Sequence, residues 1–182
     1  MPRFRIVAAL AVAGAATLPV AAAAVPASAA TQRHACSTHW GTNPKHRGSA
    51  STTVATRVRD VRAGRHMCFD RLVIDLSGGK RAPFSARYVR HIVAAGSGRI
   101  LHVRGHARIL ITVRGPAGAH FAANAVNLAD VSGFTTFRQV RGAGSFERVT
   151  SIGLGVRAKL PFRVFELGDS RAGWRIVIDL AH

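Results

Sequence analysis

Arg71-Leu72-Val73-Ile74-Asp75-Leu76 decides how this chain folds. Leu72, Ile74 and Leu76 fall on one side of an extended backbone, and Arg71, Val73 and Asp75 fall on the other. That period of two belongs to a strand with one buried face. Ser77-Gly78-Gly79-Lys80 ends it, and the pattern returns near the end of the chain as Arg175-Ile176-Val177-Ile178-Asp179-Leu180. Arg81-Ala82-Pro83-Phe84 has a counterpart in Lys159-Leu160-Pro161-Phe162. The two pairs occur in opposite order, so they do not form a tandem repeat. The expectation is that the first and last strands occupy similar, neighbouring places, which brings the ends of the domain together. The Arg-x-x-x-Asp spacing puts both charges on the outward face, where surface ion pairs contribute roughly 0–1 kcal/mol each.

Outward from this stretch, period-two segments at residues 88–93, 100–103, 107–113, 134–140, 145–156, 161–167 and 174–180 read as strands. Turn signals such as Gly96-Ser97-Gly98, Gly105-His106 and Gly115-Pro116 separate them. Residues 115–133 read as a long connection with at most one short helical turn. The glycines at 142, 144, 153 and 155 fall inside strand patterns, which points to bulges or to close approach of another group. No segment sustains a helical period. Many short strands with regular turn signals predict an all-β fold, a sandwich or a barrel.

Upstream, Arg3 and Arg5 precede an uncharged, Ala-rich run from Ile6 to Val25, followed by Pro26-Ala27-Ser28-Ala29-Ala30. A basic start, an apolar run and a small-x-small end form a secretory signal, with residues 1–29 expected to be removed after Ala29 and a site one residue later as the alternative. A transmembrane anchor fits less well because the run is Ala-rich and holds Pro19. Arg33-His34-Ala35 before Cys36 does not suit a lipidation box. Residues 30–53 are polar and read as an irregular arm pinned by Cys36 and by Trp40, and residues 54–182 read as one domain. No second long apolar run follows, so no membrane span is expected after cleavage.

The chain holds 26 Lys plus Arg against 8 Asp plus Glu, a formal net charge of +18. Only Lys45, Lys80 and Lys159 are Lys; Arg dominates, and its planar fork suits carboxylate and phosphate. Such a charge attracts polyanions. Export and the absence of any nucleic-acid-binding motif argue against nucleic acid, which leaves wall polymers, anionic glycans and lipid head groups. Cys36 and Cys68 are the only cysteines. An even count in an oxidising compartment favours one disulfide over two free thiols, and closing a loop of about 30 residues adds on the order of 3–4 kcal/mol.

Val61-Arg62-Ala63-Gly64-Arg65-His66 followed by Phe69-Asp70-Arg71-Leu72-Val73-Ile74-Asp75 resembles the opening of the AMIN-like domain of secreted and lipid-anchored actinobacterial proteins. Leu160-Pro161-Phe162-Arg163-Val164-Phe165 and Arg175-Ile176-Val177-Ile178-Asp179 resemble its close. Gly144-Ser145-Phe146-Glu147 and Ile152-Gly153-Leu154-Gly155-Val156 resemble its middle. The resemblance implies a compact β-sandwich related to the AMIN domains of cell-wall amidases, which are non-catalytic and target the envelope, with peptidoglycan as the ligand. This chain departs from many such proteins by lacking a lipobox, by its two cysteines and by having no attached amidase domain.

Reactive constellations are not apparent. The eight acids form no evident glycosidase pair, and neither a G-x-S-x-G elbow, an H-E-x-x-H pair nor a phosphate-binding loop occurs. His102 and His106 lie four apart, a spacing that suits a metal only on a helix. No enzyme activity, cofactor or metal is expected. The candidate binding residues are Arg62, His66, Asp70 and Arg71, clustered beside Cys68, with Arg175 joining them if the first and last strands are neighbours. Arg would clamp a carboxylate or phosphate, and Asp70 would accept from sugar hydroxyls; the alternative is that Asp70 and Arg71 pair with turn backbone. The leading expectation is a secreted envelope-binding module for peptidoglycan or associated anionic polymers. A protein-interaction domain recognising another envelope protein is second, and a secreted hydrolase third.

Overall fold

The computed structural model describes Cys36, residues 38–48 and residues 55–182. The expected signal segment and its cleavage site lie outside these residues. Among the described residues there are eleven strands and no helix. The strands are β1 (Lys45–Arg47), β2 (Arg57–Arg65), β3 (Phe69–Ser77), β4 (Phe84–Val89), β5 (Ile92–Val93), β6 (Ile100–Leu101), β7 (Ala107–Arg114), β8 (Phe137–Phe146), β9 (Val149–Val156), β10 (Phe162–Asp169) and β11 (Gly173–Ala181). A five-stranded antiparallel sheet, in the order β1-β4-β7-β9-β8, faces a four-stranded one, β10-β11-β3-β2. The expected β-sandwich is what forms.

The inner faces follow from alternation. Leu72, Ile74 and Leu76 of β3 and Ile176, Ile178 and Leu180 of β11 meet Ile109, Ile111 and Val113 of β7 and Ile152, Leu154 and Val156 of β9. All but Leu76 are fully buried. A slip of one residue in any of these strands would expose its whole apolar set. The Pro-Phe echo has the same cause. Phe84 opens β4, next to the edge strand β1, Phe162 opens the edge strand β10, and each ring enters the core.

The two strands that carry the echo are neighbours, as expected, but β1 and β2 precede β3, so it is not the first strand of the chain. β3 and β11 pair antiparallel with Val177 opposite Val73, Asp179 opposite Arg71 and Arg175 opposite Asp75. An Arg-x-x-x-Asp motif repeated on two antiparallel strands is self-complementary, which accounts for the sequence echo.

Four more expectations need correction. The run 88–93 is broken at Arg90-His91: β4 ends at Val89 and the short β5 begins at Ile92. The strand expected from residue 134 starts at Phe137. The run 145–156 is a hairpin, in which Glu147 and Arg148 turn the chain with φ of 46° and 63°. Such a two-residue turn usually carries Asn or Gly, so the usual turn signal is missing. The arm also supplies a strand, because β1 pairs with β4 and extends the larger sheet.

The glycines of β9 let other groups lie on the outer face of the larger sheet. A Cβ on Gly155 would sit 1.8 Å from the Arg104 carbonyl oxygen, and one on Gly153 would sit 3.0 Å from the Ile92 side chain. The β5-β6 hairpin covers the same face through Ile92, Leu101 and Val103, packed with Ala143 and Leu110. One outer face of the sandwich is therefore occupied by the protein itself.

Candidate functional site

The outer face of the four-stranded sheet carries Arg62, Arg71 and Arg175, three of the five candidate residues. Its first cross-strand row reads Arg163, Asp179, Arg71, Gly64, the second Phe165, Val177, Val73, Arg62, and the third Leu167, Arg175, Asp75, Asp60. Charged rows therefore flank a largely apolar one.

Two carboxylates organise the arginines. Asp179, fully buried, accepts from Arg71 Nε at 2.6 Å and Nη2 at 2.9 Å, and from Arg163 Nε at 2.9 Å. Asp75, 7% exposed, accepts from Arg62 Nε at 2.8 Å and Nη2 at 3.2 Å. These hydrogen bonds to Asp179 and Asp75 raise the pKa of Arg71 and Arg62 respectively, against the opposing effect of burial. The expectation of weak surface pairs is corrected here: the positions face outward, but arginine stems and aromatic rings cover the acids.

Aromatic rings fix the arginine planes. The Arg163 guanidinium lies 4.4 Å from the Trp40 ring centroid and 5.1 Å from that of Phe165. Arg71 lies 5.1 Å from Phe69 and 5.5 Å from Phe165. His66 stacks on Phe69 at 4.5 Å, and Trp40 meets Phe69 edge-on at 5.8 Å. Cys36 and Cys68 are disulfide-bonded. The bridge fastens the segment bearing Trp40 beside the start of β3.

Arg175 is different. Self-complementarity sets it opposite Asp75, but Arg62 takes that carboxylate. Among the described residues Arg175 has no side-chain hydrogen-bond partner. Its field reaches Asp169, whose pKa is lowered chiefly by the backbone N–H groups of Ala172 and Arg171.

Arg62, His66, Arg71 and Arg175 all line one hollow of about 310 Å³ on this face. A second hollow of about 650 Å³ adjoins it, sharing Arg62 and Arg175 and adding Asp60, Asp75 and Trp174. The larger depression around Arg104, Asn127 and Phe134, about 690 Å³, holds none of the residues picked out from the sequence.

Asp70 is the exception among the five. It lies on the core side of β3, fully buried. One oxygen accepts from the Thr136 hydroxyl and N–H, both at 2.6 Å, and from the Phe137 N–H at 3.1 Å. The other lies 3.2 Å from His182 Nε2. Burial pushes its pKa up, but the Thr136 hydroxyl, the Thr136 and Phe137 N–H groups and His182 outweigh it, and the carboxyl is held below its ordinary value. A carboxyl whose folded pKa is depressed stabilises the fold above its unfolded pKa and loses that contribution as pH falls through the folded value. Thermal unfolding followed from pH 6 down to about 2 should show a falling melting temperature below about pH 4. Asp70→Asn should flatten that slope; an identical slope in the variant would remove Asp70 as its source.

Arg163, Asp179 and Trp40 were missed as members of this face. The Arg-x-x-x-Asp echo contained the signal for Asp179. Arg163 was legible only as a charged residue at an outward strand position.

Among the described residues no group of three or more His, Cys, Asp or Glu is arranged to hold a metal ion, and no helix is long and apolar enough to cross a membrane. No characterised protein and no solved structure shows significant similarity to the chain. The family model for the AMIN-like domain matches residues 56–182, from the start of β2 through β11, and the chain belongs to that family.

Proposed function

We propose that this is a secreted, non-catalytic module that binds the cell envelope, peptidoglycan or its associated anionic polymers, through the outer face of the four-stranded sheet. Membership of the AMIN-like family and the disulfide support an extracytoplasmic, wall-related binding role. The observation that carries the reading is the gathering of Arg62, Arg71, Arg175 and His66 around one hollow, with two of the arginines held rigid by bidentate carboxylates. Arg62 Nη1, Arg71 Nη1 and the whole Arg175 guanidinium keep donors that no described protein group takes. Rigid donors bind with less loss of side-chain freedom than mobile ones.

Co-sedimentation with insoluble cell wall tests this, using wall with and without its anionic polymers at low and high salt. Recognition through paired arginines keeps binding to stripped peptidoglycan at high salt. A purely electrostatic attraction is confined to polymer-bearing wall and fades as salt rises. Absence of binding to either preparation would remove the envelope reading and favour a protein partner.

A further inference from the structure

The two hollows on this face differ in a way that selects a ligand. The larger sets Asp60 and Asp75 among Arg59, Arg62, Arg171 and Arg175, so its wall mixes both signs. The smaller is lined by no carboxylate. Arg71 and Arg175 stand in the rows on either side of Val73 and Val177, with Arg62 in their row and Leu167 beside Arg175, and His66 completes the lining. Its volume, about 310 Å³, lies at the lower bound for small-molecule sites. It holds one small group rather than a disaccharide.

We infer that this hollow is a receptor for a free carboxylate carried on a short aliphatic unit, with Arg175 as its principal clamp and the terminal carboxylate of a wall peptide as its source. The source rests on the envelope-binding reading above. The chemistry rests on the lining. Arg175 is the arginine whose cross-strand acid has been taken by another residue, so its planar fork is free for bidentate pairing. Arg62 Nη1 and Arg71 Nη1 supply further donors from side chains that cannot swing away, because Asp75 and Asp179 hold them. An aliphatic substituent beside the carboxylate packs on Leu167, which is 42% exposed, next to the buried Val73 and Val177. A phosphodiester has polar oxygens on every side and would leave some of them facing those apolar side chains without a partner, which is costly.

Gly64 provides a test that changes no charge. It lies opposite Arg71 on β2 and lines the hollow. A Cβ built on it meets nothing within 4 Å, and its φ is not in the left-handed region. Gly64→Val therefore fills the hollow without straining the strand.

The experiment is calorimetric titration of the purified protein with N-acetyl-alanyl-alanine, its C-terminal amide and dimethyl phosphate, with wall co-sedimentation in parallel. The acid should bind saturably, and the amide and the phosphodiester at least about tenfold more weakly. Arg175→Gln and Gly64→Val should each weaken the acid by at least about tenfold with unchanged unfolding midpoints. Equal binding of acid and amide, equal binding of dimethyl phosphate, or no binding of the acid overturns the assignment. Where the acid fails yet wall binding persists, the carboxylate receptor falls and the envelope reading stands; where both fail, both fall.

Discussion

Asp179→Ala lowers the free energy of unfolding by about 3 kcal/mol, the lower part of the range for breaking a buried ion pair. The lower part applies because only the acid is fully buried, while the Arg71 and Arg163 side chains keep 24% and 43% of their exposure. Removing the carboxylate leaves two cations side by side against Phe165, with no acid between them. Water reaches both, which limits the penalty. The effect should be read from urea unfolding, with the slope on denaturant unchanged so that the midpoint alone carries it. Arg163→Gln, which leaves Arg71 paired with Asp179, should cost less than half as much. A loss under about 1 kcal/mol for Asp179→Ala would mean that the pairs behave as ordinary surface pairs, and that the arginines are not anchored as described.

Opening the Cys36–Cys68 bridge is the other large effect expected. The bridge spans 32 residues of sequence, and in the chain-entropy treatment a loop of that length contributes about 3–4 kcal/mol. The Cys36→Ser/Cys68→Ser double variant should lose that much stability in urea. Its effect should also be felt locally. Trp40 sits in the segment that the bridge holds against β3, edge-on to Phe69 and under Arg163, so the tryptophan fluorescence of the folded variant should shift towards that of a solvated indole. A variant with unchanged stability and emission would show that the β1–β4 pairing alone fixes the arm.

How far the molecule could be read in advance divides along physical lines. The β-sandwich and the β3–β11 pairing were legible because each rests on alternation over six or more residues, and a one-residue error there exposes an entire apolar set. Local breaks were harder. The β8–β9 turn uses Glu147 and Arg148 at positive φ, residues that announce no turn, and the gap between β4 and β5 falls at Arg90-His91 with neither Gly nor Pro to mark it. In the candidate site, Arg62, His66, Arg71 and Arg175 came from proximity to Cys68 and from the echo between β3 and β11. Asp70 was grouped with Arg71 because the two are adjacent in sequence. Adjacent residues on a strand point to opposite sides, so Asp70 joins the core while Arg71 joins the surface. The burial of Asp179 depended on Arg163 and Trp40, which come from an edge strand and the arm, and no short sequence pattern links them. That Arg175 lacks a partner could not be read either, because the competitor for Asp75 is on a third strand.

The central claim is that one sheet face, rather than the overall positive charge, makes this protein an envelope-binding module. Two variants that remove one charge each test it most directly: Arg175→Gln on that face, and Arg99→Gln, an exposed residue beside the β5-β6 hairpin on the other side of the sandwich. Co-sedimentation with stripped peptidoglycan at physiological salt is the measurement. The account predicts that Arg175→Gln loses at least about tenfold in affinity while Arg99→Gln binds as the unaltered protein does. Equal losses in the two variants would contradict it and reduce the interaction to net charge.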